Sequence, residues 1–167
     1  MKRFLLAACL FLAGYPSTSA ATQSLAPNFT LRDINGDSYN LYEHRGEIII
    51  LNFWATWCGP CTAELPHLNA IDKNYADKGV DVVVISVDAA RELSKAKSYI
   101  KARKYGFTAL FDTDTSVVSQ YNPSKAIPYT LIMDREMRIV HVHTGYVSGV
   151  EDTYTQIIDE IIQNENR

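Results

Sequence analysis

The sequence predicts an α/β protein built on one central sheet with a mixed edge. Two apolar, β-branched runs carry most of this reading, Glu47 to Trp54 (EIIILNFW) and Asp81 to Val87 (DVVVISV). Neither alternates with polar residues, the pattern of a strand covered on both faces. Between them Cys58 to Lys78 has helical composition and stops at Gly79, so strand, helix and strand follow in the order that parallel pairing needs.

The remaining elements follow from local chemistry. Ala21 to Pro27 reads as a polar lead-in. Phe29 to Asp33 and Ser38 to Leu41 flank Ile34-Asn35-Gly36-Asp37, and Asn-Gly between such runs marks a hairpin. Glu92 to Tyr105, rich in Lys, Ala and Arg, reads as a helix stopped by Gly106. Its Lys95, Lys97, Lys101, Arg103 and Lys104 form a solvated face. Ala109 to Asp112 is a short strand and Val117 to Tyr121 a short helix. Tyr129 to Met133 and Arg138 to Thr144 are strands joined by the tight turn Asp134-Arg135-Glu136-Met137. Val150 to Gln163 closes the chain as a helix with Ile157, Ile158, Ile161 and Ile162 inward.

The chain has 167 residues, 21% of them charged and 11% aromatic, which fits one globular domain and excludes a disordered chain. A net charge of −3 argues against a protein that holds nucleic acid on a basic surface. The first twenty residues read differently from the rest. Lys2 and Arg3 precede ten apolar residues, Phe4 to Ala13, and Thr18-Ser19-Ala20 offers a small-residue cleavage site. That run is about half the length needed to span a bilayer and suits an export signal, cleaved after Ala20. The expected division is therefore 1–20 signal peptide and 21–167 mature domain. A retained short anchor, or acylation at Cys9, are the alternatives, and membrane contact is expected only with them. Loss of Lys2 and Arg3 takes the 16 basic residues to 14 and the net charge from −3 to −5. It also leaves two of the three cysteines, in a compartment where disulfides persist.

Those two cysteines stand in Trp57-Cys58-Gly59-Pro60-Cys61, where a buried strand runs into a helix. A sulfur at a helix N-terminus meets free N–H groups and the positive end of the dipole, which favour thiolate over thiol. Cys61 falls one turn later on the same side and can close a disulfide with it. Half a zinc site is the first alternative, but no second Cys or His pair follows at ligand spacing. A disulfide kept for stability is the second, but so short a loop stabilises little. His141 and His143 share a strand face and are conceivable copper or zinc ligands, though half-exposed strand histidines are the commoner case. No metal is assigned, and the only cofactor expected is the Cys58–Cys61 disulfide itself.

Phe53-Trp54-Ala55-Thr56-Trp57-Cys58-Gly59-Pro60-Cys61 resembles the active-site stretch of thioredoxins. The exported TlpA/ResA-like branch of thiol-disulfide oxidoreductases is closer still. The similarity takes in Ala26-Pro27-Asn28-Phe29-Thr30-Leu31, a D-x-x-G hairpin at Asp33 to Gly36, Arg45-Gly46, and Glu64-Leu65-Pro66. It continues through Ser86-Val87-Asp88 and Ile127-Pro128-Tyr129-Thr130. The resemblance implies a thioredoxin-like fold: a central mixed sheet flanked by helices, an N-terminal hairpin, and an inserted helix–strand segment. It implies that Cys58 attacks a substrate disulfide and Cys61 resolves the mixed disulfide. It also implies a cis Ile127–Pro128 peptide facing the cysteines. Trp57, Gly59, Pro60, Ile127 and Pro128 would then meet the substrate, which adds as a strand along Ile127.

Three departures matter. Asn52 stands where thioredoxins bury an aspartate, and Val84 replaces its partner lysine, so proton transfer to Cys61 needs another group. Glu64, where the branch also has glutamate, is the candidate; the alternative is an ordinary first-turn acid favoured by the helix dipole. The Asp134–Met137 turn lacks the usual glycine. A thiol peroxidase of this fold would require proline at 51 and threonine at 55, where this chain has Leu51 and Ala55.

The expected function is therefore an exported or periplasmic dithiol reductase, fed by a transmembrane thiol electron donor. Its substrates are disulfide-containing exported proteins, with the haem-binding cysteines of apocytochrome c or the copper-site cysteines of an oxidase implied by the resemblance. The alternatives are a copper-handling protein using Cys58, Cys61, His141 and His143, and a protein disulfide oxidant or isomerase. Gly-Pro between the cysteines is the dipeptide of thioredoxin, whose potential is about −270 mV, against about −120 mV for the oxidant DsbA.

Overall fold

A computed structural model of the chain describes residues 24–165. The export signal, Cys9 and the cleavage point after Ala20 lie outside the described residues. Two strands, β1 (Thr30–Arg32) and β2 (Ser38–Asn40), form a separate antiparallel hairpin. The main sheet uses β3 (Ile48–Trp54), β4 (Val80–Ser86), β5 (Thr108–Phe111), β6 (Tyr129–Met133) and β7 (Ile139–Thr144), in the order β5-β4-β3-β6-β7. β3, β4 and β5 run parallel, while β6 and β7 are antiparallel additions on the other side of β3. The helices are α1 (Gly59–Tyr75), α2 (Leu93–Arg103), α3 (Ser116–Tyr121) and α4 (Val150–Glu165). The expected fold class holds, with α2 and β5 as the inserted helix–strand segment.

The sheet has two different faces because side chains alternate along a strand. Ile48, Ile50, Trp54, Val80, Val82 and Val84 pack with Leu65, Leu68 and Ile71 of α1, Ile100 of α2, and Tyr154 and Ile158 of α4. Ile49, Leu51, Phe53, Val83 and Ile85 pack with α3 and the hairpin residues Phe29, Tyr39 and Leu41. All seven residues of β3 are buried, which is why its run is continuously apolar apart from Asn52.

Several local expectations are corrected. The lead-in is not merely polar: Ala26 is fully buried, and Leu25 bridges to Arg138 beside β7. α2 ends at Arg103 with Lys104 left-handed (φ 54°), two residues before Gly106. Gly106 instead lies against α1, its N–H donating to Asn69 Oδ1 at 2.8 Å. Within the basic face of α2, Lys97 is not simply solvated: its ammonium donates to the Ile34 carbonyl at 3.2 Å and sits over the Phe111 ring. Along α4, Tyr154 and Ile158 are buried, whereas Ile157, Ile161 and Ile162 are only partly covered.

The two hairpin turns are built alike despite different sequences. Asp33 Oδ1 accepts from the N–H groups of Asn35 and Asp37, and Gly36 takes the left-handed position. Asp134 Oδ1 accepts from Glu136 and Arg138, and Met137 takes that position with φ 65°. The missing glycine is therefore replaced by a buried methionine: Met137 is fully covered and its side chain packs against the hairpin-side core.

Candidate active site

β3 delivers the chain to the start of α1, and the two cysteines straddle that junction. Cys58 is the N-cap of α1, in extended conformation, and its Sγ accepts from the Cys61 N–H at 3.2 Å. Pro60 falls in the first turn, where its missing N–H leaves no bond unmade. Cys58 and Cys61 form a disulfide with Cα atoms 5.3 Å apart. The Cys61 N–H and the dipole end of a 17-residue helix face the Cys58 sulfur, a setting that stabilises thiolate. Burial is unequal: Cys58 keeps 7% of its surface and Cys61 none. Trp57, Gly59 and Pro60 are exposed around them.

The loop before Cys58 is locked from below. Asp88, buried just past the end of β4, accepts from the Thr56 N–H at 2.9 Å, the Thr56 hydroxyl at 2.7 Å and the Ser86 hydroxyl at 2.8 Å. Val87 N–H also donates to the Trp54 carbonyl at 2.9 Å. The loop from Ala55 to Trp57 is thus tied to β4 by both backbone and side chain.

Glu64 lies on the inward face of α1, past the first turn and fully buried, which removes the reading as an exposed first-turn acid. Three other elements converge on its carboxylate. Asn52 of β3 donates from Nδ2 to Oε2 at 3.0 Å. Thr130 of β6 and Tyr154 of α4 donate their hydroxyls to Oε1, each at 3.0 Å. Asn52 Nδ2 also donates to Thr130 Oγ1 at 2.9 Å, across the β3–β6 register pair Asn52↔Thr130. Burial pushes the Glu64 carboxyl up from its ordinary range, and the hydrogen bonds from Thr130, Tyr154 and Asn52 pull part of the way back. Burial, with the facing Glu64, also pushes the Tyr154 phenol up, so Tyr154 stays protonated and donates. Val84, the register partner of Asn52 on β4, is buried.

Thr130 and Tyr154 were not legible as site residues from sequence. A signal existed for Tyr154: it falls four residues before Ile158 on the inward stripe of α4, and a buried tyrosine hydroxyl needs a partner. The Ile127–Pro128 peptide is cis, as the resemblance implies. Ile127 precedes β6 just outside its ladder, and the Pro128 carbonyl accepts from Gly145 N–H at 2.8 Å. His141 and His143 do share a face: their rings are parallel within 6°, 6.5 Å apart, and both meet the edge of Tyr154. Burial and the neighbouring His143 hold the His141 imidazole below its ordinary range. Among the described residues, this pair gathers no third metal-binding side chain.

Comparisons with known proteins agree with this geometry. The AhpC/TSA family model matches residues 22–142. The thiol-disulfide oxidoreductase ResA of Bacillus subtilis (strain 168) is 34% identical over 133 residues, 80% of this chain and 72% of that protein. The thioredoxin-like protein YneN of the same organism is 32% identical over 126 residues, 75% and 73% of the two chains. Among solved structures, one described as a thiol:disulfide interchange protein DsbE from Chlorobium tepidum superimposes with a TM-score of 0.77 at 27% identity, over 84% of this chain and 96% of that one. The thioredoxin domain of a Bacteroides vulgatus thiol-disulfide oxidoreductase gives 0.69 at 26% identity, over 86% and 99%. With a Cys-x-x-Cys disulfide at the head of α1, and leucine and alanine at 51 and 55, the chain belongs to the AhpC/TSA family as one of its ResA-like thiol-disulfide oxidoreductases.

Proposed function

We propose that this oxidoreductase works as an extracytoplasmic dithiol reductase, with Cys58 as nucleophile, Cys61 as resolving thiol and Glu64 as the proton carrier for Cys61. The Cys58 thiolate attacks one sulfur of a substrate disulfide, forming a mixed disulfide and releasing the other sulfur as thiolate. The Cys61 thiolate, its proton passed to Glu64, then attacks Cys58 Sγ and expels the second substrate sulfur. The substrate gains two electrons and becomes a dithiol, and the protein becomes the Cys58–Cys61 disulfide. A transmembrane thiol donor restores those electrons. The observation that carries this reading is the placement of Cys58 Sγ at the α1 N-cap, with buried Glu64 one turn beyond Cys61.

Trp57, Gly59 and Pro60 supply the exposed rim on which a substrate would dock, and the backbone of half-buried Ile127, next to cis Pro128 and outside the β6 ladder, would pair with it. The substrates are exported proteins carrying a disulfide, among them the haem-binding cysteines of an apocytochrome c or the copper-site cysteines of an oxidase. The reductase reading rests on the Gly-Pro dipeptide and on the ResA and DsbE relatives, and the location on residues 1–20. A redox titration of Cys58–Cys61 tests it. A potential near about −270 mV supports a reductase, and one near about −120 mV overturns it in favour of an oxidant. Cys61→Ser, expressed in the native host, should leave mixed disulfides on Cys58 whose captured proteins name the substrate.

A further inference from the structure

At the start of the sheet Glu47 immediately precedes β3, and Asp81 is the register partner of Ile49, two residues further along. That end of β3 is opposite the cysteines, with a seven-residue strand, about 20 Å, between them. His44, the last residue of the short 3-10 turn Leu41–His44, brings its Nδ1 to both carboxylates: 3.3 Å from Glu47 Oε2 and 3.9 Å from Asp81 Oδ2. One ligand atom from each of the three lies within 4.8 Å of the others.

We propose that His44, Glu47 and Asp81 bind a zinc-class divalent cation at the base of the sheet, a site separate from the dithiol. The spacing suits the ion. Zinc–nitrogen and zinc–oxygen bonds of about 2.0–2.1 Å put neighbouring ligand atoms of a tetrahedron about 3.3 Å apart. His44 and Glu47 already stand there at 3.3 Å; His44–Asp81 at 3.9 Å, and Glu47–Asp81 within 4.8 Å, close by side-chain movement. An imidazole with two carboxylates is a borderline-to-hard donor set, suited to zinc more than to calcium or magnesium.

The ligands are held from outside the cluster. The Tyr39 ring stacks on His44, 4.2 Å between centroids and 15° between planes, fixing the imidazole's orientation. Tyr39 also donates its hydroxyl to Asp81 Oδ2 at 3.2 Å, and Thr108 donates to Asp81 Oδ1 at 3.3 Å. Such outer contacts are what a ligating histidine and carboxylate need. Two carboxylates face one imidazole, an arrangement that a divalent cation would balance. All three side chains remain partly exposed, leaving an entry path and a solvent-facing coordination position. A bound ion would join the hairpin, through Tyr39, to the starts of β3 and β4.

The test is a zinc titration of the protein with Cys58–Cys61 oxidised, so that no thiolate competes, followed by calorimetry and by the visible bands of cobalt(II) as a substitute. One equivalent should bind. His44→Ala should weaken it at least tenfold, and so should Asp81→Asn, which keeps a side chain of the same shape for Tyr39 and Thr108. The double variant His141→Ala/His143→Ala should bind as wild type does. Failure of the oxidised protein to bind zinc overturns the site. So does unchanged binding in folded His44→Ala, or loss of binding in the His141/His143 double variant. Should His44→Ala not fold, Asp81→Asn decides by the same measure. Because the dithiol stays closed throughout, the outcome is independent of the reductase reading.

Discussion

The side-chain nitrogen of Asn52 lies 3.0 Å from Glu64 Oε2, with both residues fully buried. An amide thus faces the carboxylate from β3, and its own Oδ1 has no hydrogen-bond partner among the described residues. The pocket under the dithiol is arranged around one acid. Asn52→Asp would place two carboxylates at hydrogen-bond distance, and such a pair cannot both ionise without penalty. Their folded pKa rises above the unfolded value, so the variant keeps its stability at low pH and loses it as pH rises. Urea unfolding should show a larger deficit against wild type at pH 8 than at pH 5, by up to about 1.4 kcal/mol for each unit of added upward shift.

Glu64→Gln separates the two roles of this carboxyl. Burial raises its folded pKa above the ordinary 4.5, so ionised Glu64 costs the wild type stability as pH climbs through that raised value. The glutamine variant lacks this loss and should gain on wild type between pH 4 and pH 8 in urea unfolding. In reduction of a protein disulfide, the wild-type rate should carry an ionisation above 4.5 that the variant lacks. Superimposable rate profiles would remove Glu64 from proton transfer.

Tyr154→Phe deletes one of the three donors to Glu64 while keeping the ring against His141 and His143. The carboxylate loses a hydrogen bond that favours its charged form, so its pKa should move further up. The midpoint of the rate profile should shift to higher pH. Stability at neutral pH should fall by about 1–3 kcal/mol, the range for leaving a buried acceptor short of a donor.

Asp88→Ala strikes the loop rather than the sulfurs. The partly buried Thr56 N–H and hydroxyl and the buried Ser86 hydroxyl lose their acceptor. A loss of about 2–4 kcal/mol is expected from unfolding curves, since unmet buried donors carry their full desolvation penalty. Reductase turnover should fall with it, because Thr56 stands two residues before Cys58.

Met137→Gly pits two effects against each other. Glycine relieves a left-handed backbone worth about 1–2 kcal/mol, but removing the buried side chain costs about 2–5 kcal/mol. Packing should win, and the variant should melt below wild type even though glycine suits the turn.

Sequence reading went furthest where one physical rule dominates. β3 and β4 are mostly apolar runs, broken by Asn52, Asp81 and Ser86, because both faces are largely covered, and the Cys58–Cys61 spacing carries its chemistry in the motif itself. It failed where tertiary partners decide. Nothing near Thr130 or Tyr154 in the chain says that both hydroxyls meet Glu64, 66 and 90 residues away. Lys104 ends α2 in place of the expected Gly106, because Gly106 is needed where the chain passes Asn69 and Asp72. Met137 holds a glycine's conformation because the core wants its side chain. Asn52 was visible as a departure, but its register with Thr130 belongs to the sheet.

The unequal cover over the two sulfurs has a consequence for chemistry with strangers. In the disulfide form a small thiol in the surroundings can touch Cys58 and has no surface of Cys61 to meet. Any adduct on the outer sulfur is therefore within reach of an inner one that reagents cannot block first. Under the proposed mechanism, Cys61 expels a small thiol from Cys58 by closing the Cys58–Cys61 disulfide, so such a side reaction costs one re-reduction of the pair, whereas an irreversible cap on Cys58 takes the molecule out of service.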